Sequence, residues 1–203
     1  MSEAHWDERY RAEGARYGTE PNTFLRDNAH FLRPNSRVLC VGDGEGRNGV
    51  HLAGLGHRVV SLDQSSVGLA KARELAASRG VELETWHVGL EHYVGFGEAP
   101  EPWDGIVFIF VHLAPELRAA VARELTRQCA PGAVLLWESF SPAQRQLSSG
   151  GPHDISRLTT RADLAETWAD GWRLDVRIVE RVLKEGYGHD GLAAVVQAIG
   201  LRN

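Results

Sequence analysis

The sequence predicts an α/β fold: a mostly parallel, seven-stranded sheet with helices on both faces and a C-terminal antiparallel hairpin. Two observations carry the prediction. Along the middle of the chain, short β-branched runs alternate with longer amphipathic ones, the order expected of βαβ units. The last two apolar runs are separated by a turn, "KEGYGHDG", which suits a hairpin.

Taken in order, "EAHWDERYRAE" (3–13) and "PNTFLRDNAHFL" (21–32) read as two helices ahead of the sheet. "RVLCVG" (37–42) is a first strand and "GRNGVHLAGLG" (46–56) a helix stopped at Gly56. "RVVSLD" (58–63) is a second strand, followed by a helix over 65–80 with a serine cap and a terminal glycine. "VELETWHV" (81–88) is a third strand. "WDGIVFIFVHL" (103–113) is a fourth, apolar nearly throughout, as a strand covered on both faces should be. A helix over 115–132 ends at Pro-Gly, and "AVLLWESFS" (133–141) supplies a fifth strand. The Ser-, Gly- and Pro-rich stretch 142–158 is too long for idle spacing and is a candidate lid. A short helix over 160–170 leads into the hairpin strands.

The chain has 203 residues and a formal net charge of −5, with lysine only at Lys71 and Lys184 and no block of five like charges. That balance speaks against a nucleic-acid surface, which needs clustered cations. There is no N-terminal apolar leader and no run of the roughly 20 apolar residues a membrane helix requires, so a cytoplasmic location is expected. Cys40 and Cys129 sit in apolar surroundings and read as small buried hydrophobes. The nine histidines show no ligand spacing with cysteine partners, so no metal site is expected.

The chemistry concentrates between the first strand and its helix, where Gly42, Gly44 and Gly46 alternate with Asp43 and Glu45. Such a turn lets backbone approach a ligand, and Arg47 and Asn48 open a helix whose free amides suit an anionic group. Asp63 at the tip of the second strand is placed to accept hydrogen bonds from both ribose hydroxyls of a nucleoside. Two loop carboxylates would repel a pyrophosphate by up to about 1 kcal/mol per close pair even in water. They suit a ligand that is cationic beside the loop, as S-adenosylmethionine is with its ammonium and sulfonium.

These same stretches resemble a known family. "VLCVGDGEGRNGVHLA", "VVSLDQSSVGLAKARELA" and "WDGIVFIFVHL" are similar to motifs of class I S-adenosylmethionine-dependent methyltransferases, which are Rossmann-like. "RYGTEPNTFL", "ESFSPAQ" and "EGYGHDGLAAVV" resemble the branch related to tellurite-resistance and thiopurine methyltransferases. The resemblance implies one methyltransferase domain over 1–203, with a helical cover (1–35) on a core (36–203). It places Gly42, Gly44 and Gly46 along the methionine part of the cofactor, with Asp43 or Glu45 near its ammonium. Asp63 would hold the ribose, with Gln64 and Ser65 beside the adenine. Leu90 or Glu91 would meet the adenine where many relatives carry an acid and this chain has Gly89. Phe110, in the fourth-strand motif, and Tyr17, in the covering segment, would complete the pocket. Where many relatives carry an acid in the first strand this chain has Cys40, so the acid has moved to Asp43.

Three residues are candidates for the chemical step. His112 follows the fourth strand and is either substrate-facing or a packing histidine. Glu138 is a charge in an apolar strand, either at a pocket mouth or in a salt bridge. His189, in the hairpin turn, either reaches over the pocket or is solvated. Trp6, Tyr10 and Phe24 either cover the pocket or pack the helices, and Arg145 and Arg157 either attract an anionic substrate or are solvated loop arginines. The expected activity is methyl transfer to a small molecule, with thiols or reduced chalcogens suggested by the resemblance. The alternatives are a cofactor-binding module without transferase activity and a nicotinamide-dependent oxidoreductase.

Overall fold

The computed structural model describes residues 2–95 and 99–203. Seven strands, Arg37–Val41 (β1), Arg58–Asp63 (β2), Glu84–His87 (β3), Trp103–Ile109 (β4), Cys129–Phe140 (β5), Trp172–Glu185 (β6) and His189–Arg202 (β7), form one sheet ordered β3-β2-β1-β4-β5-β7-β6. The first five are parallel, and β7 runs antiparallel between β5 and β6. The helices are Glu3–Tyr10 (α1), Thr23–Asn28 (α2), Arg47–Gly54 (α3), Ser66–Ser78 (α4), Leu90–Tyr93 (α5), Pro115–Gln128 (α6) and Arg161–Thr167 (α7).

Alternation along β1 shows why both faces are covered. Leu39 and Val41 join a core with Leu90, Leu125, Leu164 and Trp168 from α5, α6, α7 and the residue after α7. Val38 and Cys40 face the opposite core, with Phe24 and Leu25 of α2 and Leu52 of α3. Period-2 side chains buried on both sides are what a central parallel strand requires. The chain reverses its direction of growth at β1 and β4, and the carboxyl ends of these strands open the crevice where such sheets bind ligands.

Several elements end elsewhere than the sequence suggests. Strand β4 stops at Ile109 because Phe110 takes a left-handed φ of +56°, which breaks the ladder. Helix α6 stops at Gln128, and Pro131-Gly132 falls inside β5 instead of ending the helix. The register passes from Trp103–Cys129 directly to Gly105–Val134, so this pair forms a bulge. Strand β3 is only four residues long, and α5 follows it where no helix is expected. The hairpin turn shrinks to 186–188, so His189 is the first residue of β7. Both cysteines are free and buried. No described helix is long and apolar enough to cross a membrane.

Candidate functional site

A cavity of about 500 Å³ lies over the carboxyl ends of β1, β2 and β4. The covering segment closes one side of it through Trp6, Tyr10, Arg16 and Tyr17, and the 150–157 loop closes another through Gly150, Gly151 and Arg157. The cover is tied down by polar contacts. Asp7 of α1 accepts hydrogen bonds from the Ser65 hydroxyl (2.6 Å) and the Val67 amide (3.3 Å) at the start of α4. Lys71 donates to the carbonyls of Ala12 and Gly14 and to Glu45. Gln144 pins the base of the 142–158 stretch by donating to Ser149 and Gly150 and accepting from the Ala194 amide.

The glycine loop forms as its sequence demands, with Gly42, Gly44 and Gly46 all at positive φ. A side chain at Gly46 would run into Ala72 of α4, and one at Gly44 into Tyr10, so these two glycines permit close packing and do not line the cavity. Gly42 does line it.

The three carboxylates of this region divide their work. Asp43 turns under the loop, where it accepts from the Ser61 hydroxyl and the Gly49 amide (3.2 Å), beside Cys40; burial pushes its carboxyl up to about 6. Asp43 thus braces the scaffold beside Cys40 and also borders the cavity. Glu45 accepts from the Arg16 amide (2.7 Å) and Lys71 (3.1 Å), clasping the cover. Asp63 accepts from the amides of Gly44 and Ser65, both at 2.8 Å, and burial raises it to about 6 as well. A carboxylate has about four acceptor sites, so two bonds leave Asp63 capacity toward the cavity it lines.

Gln64, Leu90 and Glu91 line the same end of the cavity, with Val88. A Cβ built at Gly89 would lie 3.4 Å from Glu91 Oε2, so Glu91 supplies a carboxylate at the place Gly89 leaves bare. Ser65 does not line the cavity: it caps α4, accepting from the Gly68 amide at 3.0 Å. Asn48 is buried and accepts from the Asn22 amide. Arg47 donates to Glu185 at 2.6 Å through Nη2, while its Nη1 is buried without a partner on the cavity wall.

At the other end, Phe110 is the hub. Its strained φ turns the ring out of β4 to lie 4.4 Å from His189 and 4.7 Å from Phe140. A bulky residue held left-handed costs of order 1–3 kcal/mol and is tolerated where its surroundings enforce it. His112 stacks on Phe140 at 5.5 Å and 12°. Both its ring nitrogens are unpartnered, and burial, helped by His189, drives its pKa down to about 3. It is a neutral imidazole. His189 is 6% exposed and packed against the tilted Tyr17 ring at 4.5 Å, which removes the solvated-turn reading.

Glu138 is corrected most. It is wholly buried, does not reach the cavity, and accepts from Arg181 (2.5 Å), Asn22 (2.7 Å) and Gln197 (2.5 Å). It is the strand-edge ion pair. Phe24 likewise packs in the core, and Arg145 bonds the carbonyl of His153, whereas Arg157 lines the cavity and donates to the carbonyl of His112. Sequence reasoning missed Glu185 and Asn22. A glutamate four residues before His189 in "EGYGH", and an asparagine at the N-cap of α2, were the available signals.

Comparison with known proteins agrees with this geometry. A family described as a methyltransferase domain matches residues 38–132. The 2-heptyl-1-hydroxyquinolin-4(1H)-one methyltransferase of Mycobacteroides abscessus is 31% identical over 134 residues, 64% of this chain and only 58% of that one. A solved structure concerned with conversion of a disulfide bond into a thioacetal group during echinomycin biosynthesis superposes with TM-score 0.75 (22% identical, 99% of this chain, 91% of that). TehB from Haemophilus influenzae gives 0.66 (18%, 99% and 67%). The N-methyltransferase NodS from Bradyrhizobium japonicum, in complex with S-adenosyl-L-homocysteine, gives 0.68 (15%, 98% and 97%). The chain therefore has the class I S-adenosylmethionine-dependent methyltransferase fold, and its residues 38–132 carry the sequence of a methyltransferase domain.

Proposed function

We propose that this protein transfers a methyl group from S-adenosylmethionine to a small acceptor bound in the same cavity. One observation carries the reading: a single cavity joins the glycine loop and the under-used carboxylate of Asp63 to a neutral, unpartnered His112 walled by aromatic rings. The cofactor supplies an electrophilic methyl on a sulfonium. Asp63 would accept from the ribose hydroxyls, and the spare Nη1 of Arg47 suits the methionine carboxylate. Val88 and Leu90 offer the adenine an apolar wall, with Gln64 and Glu91 at its polar edge.

The protein's part in methyl transfer is to aim the acceptor atom along the axis opposite the leaving sulfur. Phe110, Tyr17 and the loop at 150–153 enclose that atom and exclude water. His189 takes the acceptor's proton when it has one, while His112, kept neutral by burial, offers the acceptor a hydrogen-bond partner. Reading the acceptor as a thiol or another acidic heteroatom rests on the family resemblance. The hydroxyquinolinone named for the M. abscessus relative supports a small molecule. The fold likeness to TehB supports the tellurite-resistance branch only at the level of architecture.

The test is calorimetric titration of cofactor-stripped protein with S-adenosylmethionine and S-adenosylhomocysteine, followed by detection of S-adenosylhomocysteine formed with a panel of thiols, hydroxyquinolinones and chalcogen anions. Binding of both and turnover of one acceptor class is expected. No binding of either would end this reading, and binding without turnover across the panel would favour the non-catalytic module.

A further inference from the structure

We propose that Glu185 is a positioning residue that orients His189 toward the acceptor and Arg47 toward the cofactor, so that one carboxylate sets both ends of the transfer site. The inference rests on the methyl-transfer reading and deepens it.

Glu185 is the last residue of β6 and 5% exposed. Its Oε2 accepts from Arg47 Nη2 at 2.6 Å and lies 3.8 Å from His189 Nδ1; its Oε1 accepts from Arg181 (2.9 Å) and Asn22 (3.0 Å). His189 Nδ1 is buried with no hydrogen-bond partner of its own. A carboxylate facing Nδ1 favours the tautomer with the proton there, which leaves the lone pair on Nε2. Catalytic hydrogen bonds that are long in the free enzyme commonly tighten in the complex, so 3.8 Å is within the range that matters. Nε2 lies on the Gly150 side of the ring, at the loop that walls the cavity. His189 is thereby an imidazole with its acceptor nitrogen turned away from the protein's charges.

The residues between are shaped for this placement. Gly186 has φ +63° and lies against the backbone of the covering segment, and the Gly188 amide donates to the Arg16 carbonyl at 2.9 Å. A Cβ at Gly188 would fall 2.5 Å from the Tyr17 ring, the ring that packs at a tilt on His189. Tyr17, Phe110 and Phe140 then hold three sides of the imidazole. At the other end, Arg47 opens α3 directly after the glycine loop. Glu185 fixes one edge of its guanidinium and leaves Nη1 presented to the cavity.

The charges facing His189 are consistent with this role. Burial lowers its pKa foremost, and Arg47 works in the same direction, while Glu185 and Glu138 oppose them. Burial works to raise the Glu185 carboxyl, but the facing His189 imidazole and the guanidiniums of Arg47 and Arg181 hold it at about 2. It therefore remains an acceptor at any working pH.

The test reads the imidazole directly, by long-range proton–nitrogen spectra of 15N-labelled full-length protein with S-adenosylhomocysteine, with the His189 signals assigned by loss in His189→Gln. The expected result is an Nδ1–H tautomer in the wild type. In Glu185→Gln, whose amide can donate to Nδ1, the tautomer shifts to Nε2–H and the dissociation constant for S-adenosylhomocysteine rises about tenfold. Glu185→Asp should restore the wild-type tautomer. Glu138→Gln, which loosens Arg181 and Asn22 but touches neither His189 nor Arg47, should leave the tautomer unchanged. An Nε2–H tautomer in the wild type, or one that Glu185→Gln does not alter, would overturn the proposal, and the wild-type spectrum decides even where the variant fails to fold. Failure of the wild type to bind S-adenosylhomocysteine is a separate outcome, visible in the same titration, and removes the methyl-transfer reading itself.

Discussion

The tips of β2 and β5 each bury a carboxylate, and the two are treated in opposite ways. Asp63 is held by two backbone amides and has no cation bonded to it among the described residues, so burial raises its proton affinity and part of its acceptor capacity faces a cavity. Glu138 is enclosed by an arginine, an asparagine and a glutamine, and nothing of it faces a cavity. Satisfying a buried charge with side chains completes it and turns it into architecture. Satisfying it incompletely, with backbone alone, leaves it able to recognise something else.

If that contrast is right, substitution at the two sites separates stability from binding. Glu138→Ala takes away the acceptor shared by Arg181, Asn22 and Gln197, leaving Arg181 to Glu185 and Thr23, and should cost about 3 kcal/mol of folding stability; urea unfolding measures it, and a loss below about 1 kcal/mol would break the comparison. Asp63→Ala would remove the two charge-assisted ribose bonds proposed for it, so the affinity for S-adenosylhomocysteine should drop by about 100-fold. Chain stability should change far less than at Glu138, and a calorimetric titration set beside thermal unfolding resolves the two.

The raised proton affinity of Asp63 sharpens the point. Ligand hydroxyls need the ionised carboxylate, so binding should be constant above the folded-state value of about 6 and weaken as pH falls through it, approaching tenfold per unit. In the unliganded chain the sign reverses. A carboxyl whose folded value exceeds its unfolded one makes the fold lose stability as pH rises from about 4 to about 6. Asp63→Asn should abolish the first effect, and persistence of the pH dependence in that variant would transfer it to Asp43, which is raised to the same degree. The smallest effect is expected at Ser65, which caps α4 and bonds Asp7 of the cover but does not line the cavity. Ser65→Ala should lower stability by about 1 kcal/mol through the lost cap, a few degrees in melting temperature, with cofactor affinity within about twofold.

How far the sequence reveals such a site depends on the distance over which its interactions are made. The glycine loop, the strand before it and Asp63 lie within 27 residues, and each leaves a local mark: an apolar run, positive-φ glycines, an acid at a strand tip. They were legible. The fate of Glu138 depends on Asn22, 116 residues away, and on Arg181, 43 away, and no local pattern encodes such pairings. Phe110 reads as one more apolar strand residue; only the His189 and Phe140 rings around it reveal why its backbone turns left-handed. Pro131-Gly132 has the composition of a helix stop, yet the same two residues serve a bulge, and the choice is made by the register with β4.

The covering segment lies across the cavity and is clasped to the core by Asp7, Lys71 and the Gly188 amide. A ligand that leaves by way of this segment departs no faster than those clasps release. Turnover would then be paced by product escape, and slow exchange of the spent cofactor, more than the making of a new bond, would set how often the molecule can work. Because one of the clasps is an ion pair, added salt should hasten that exchange even though it touches none of the reacting atoms.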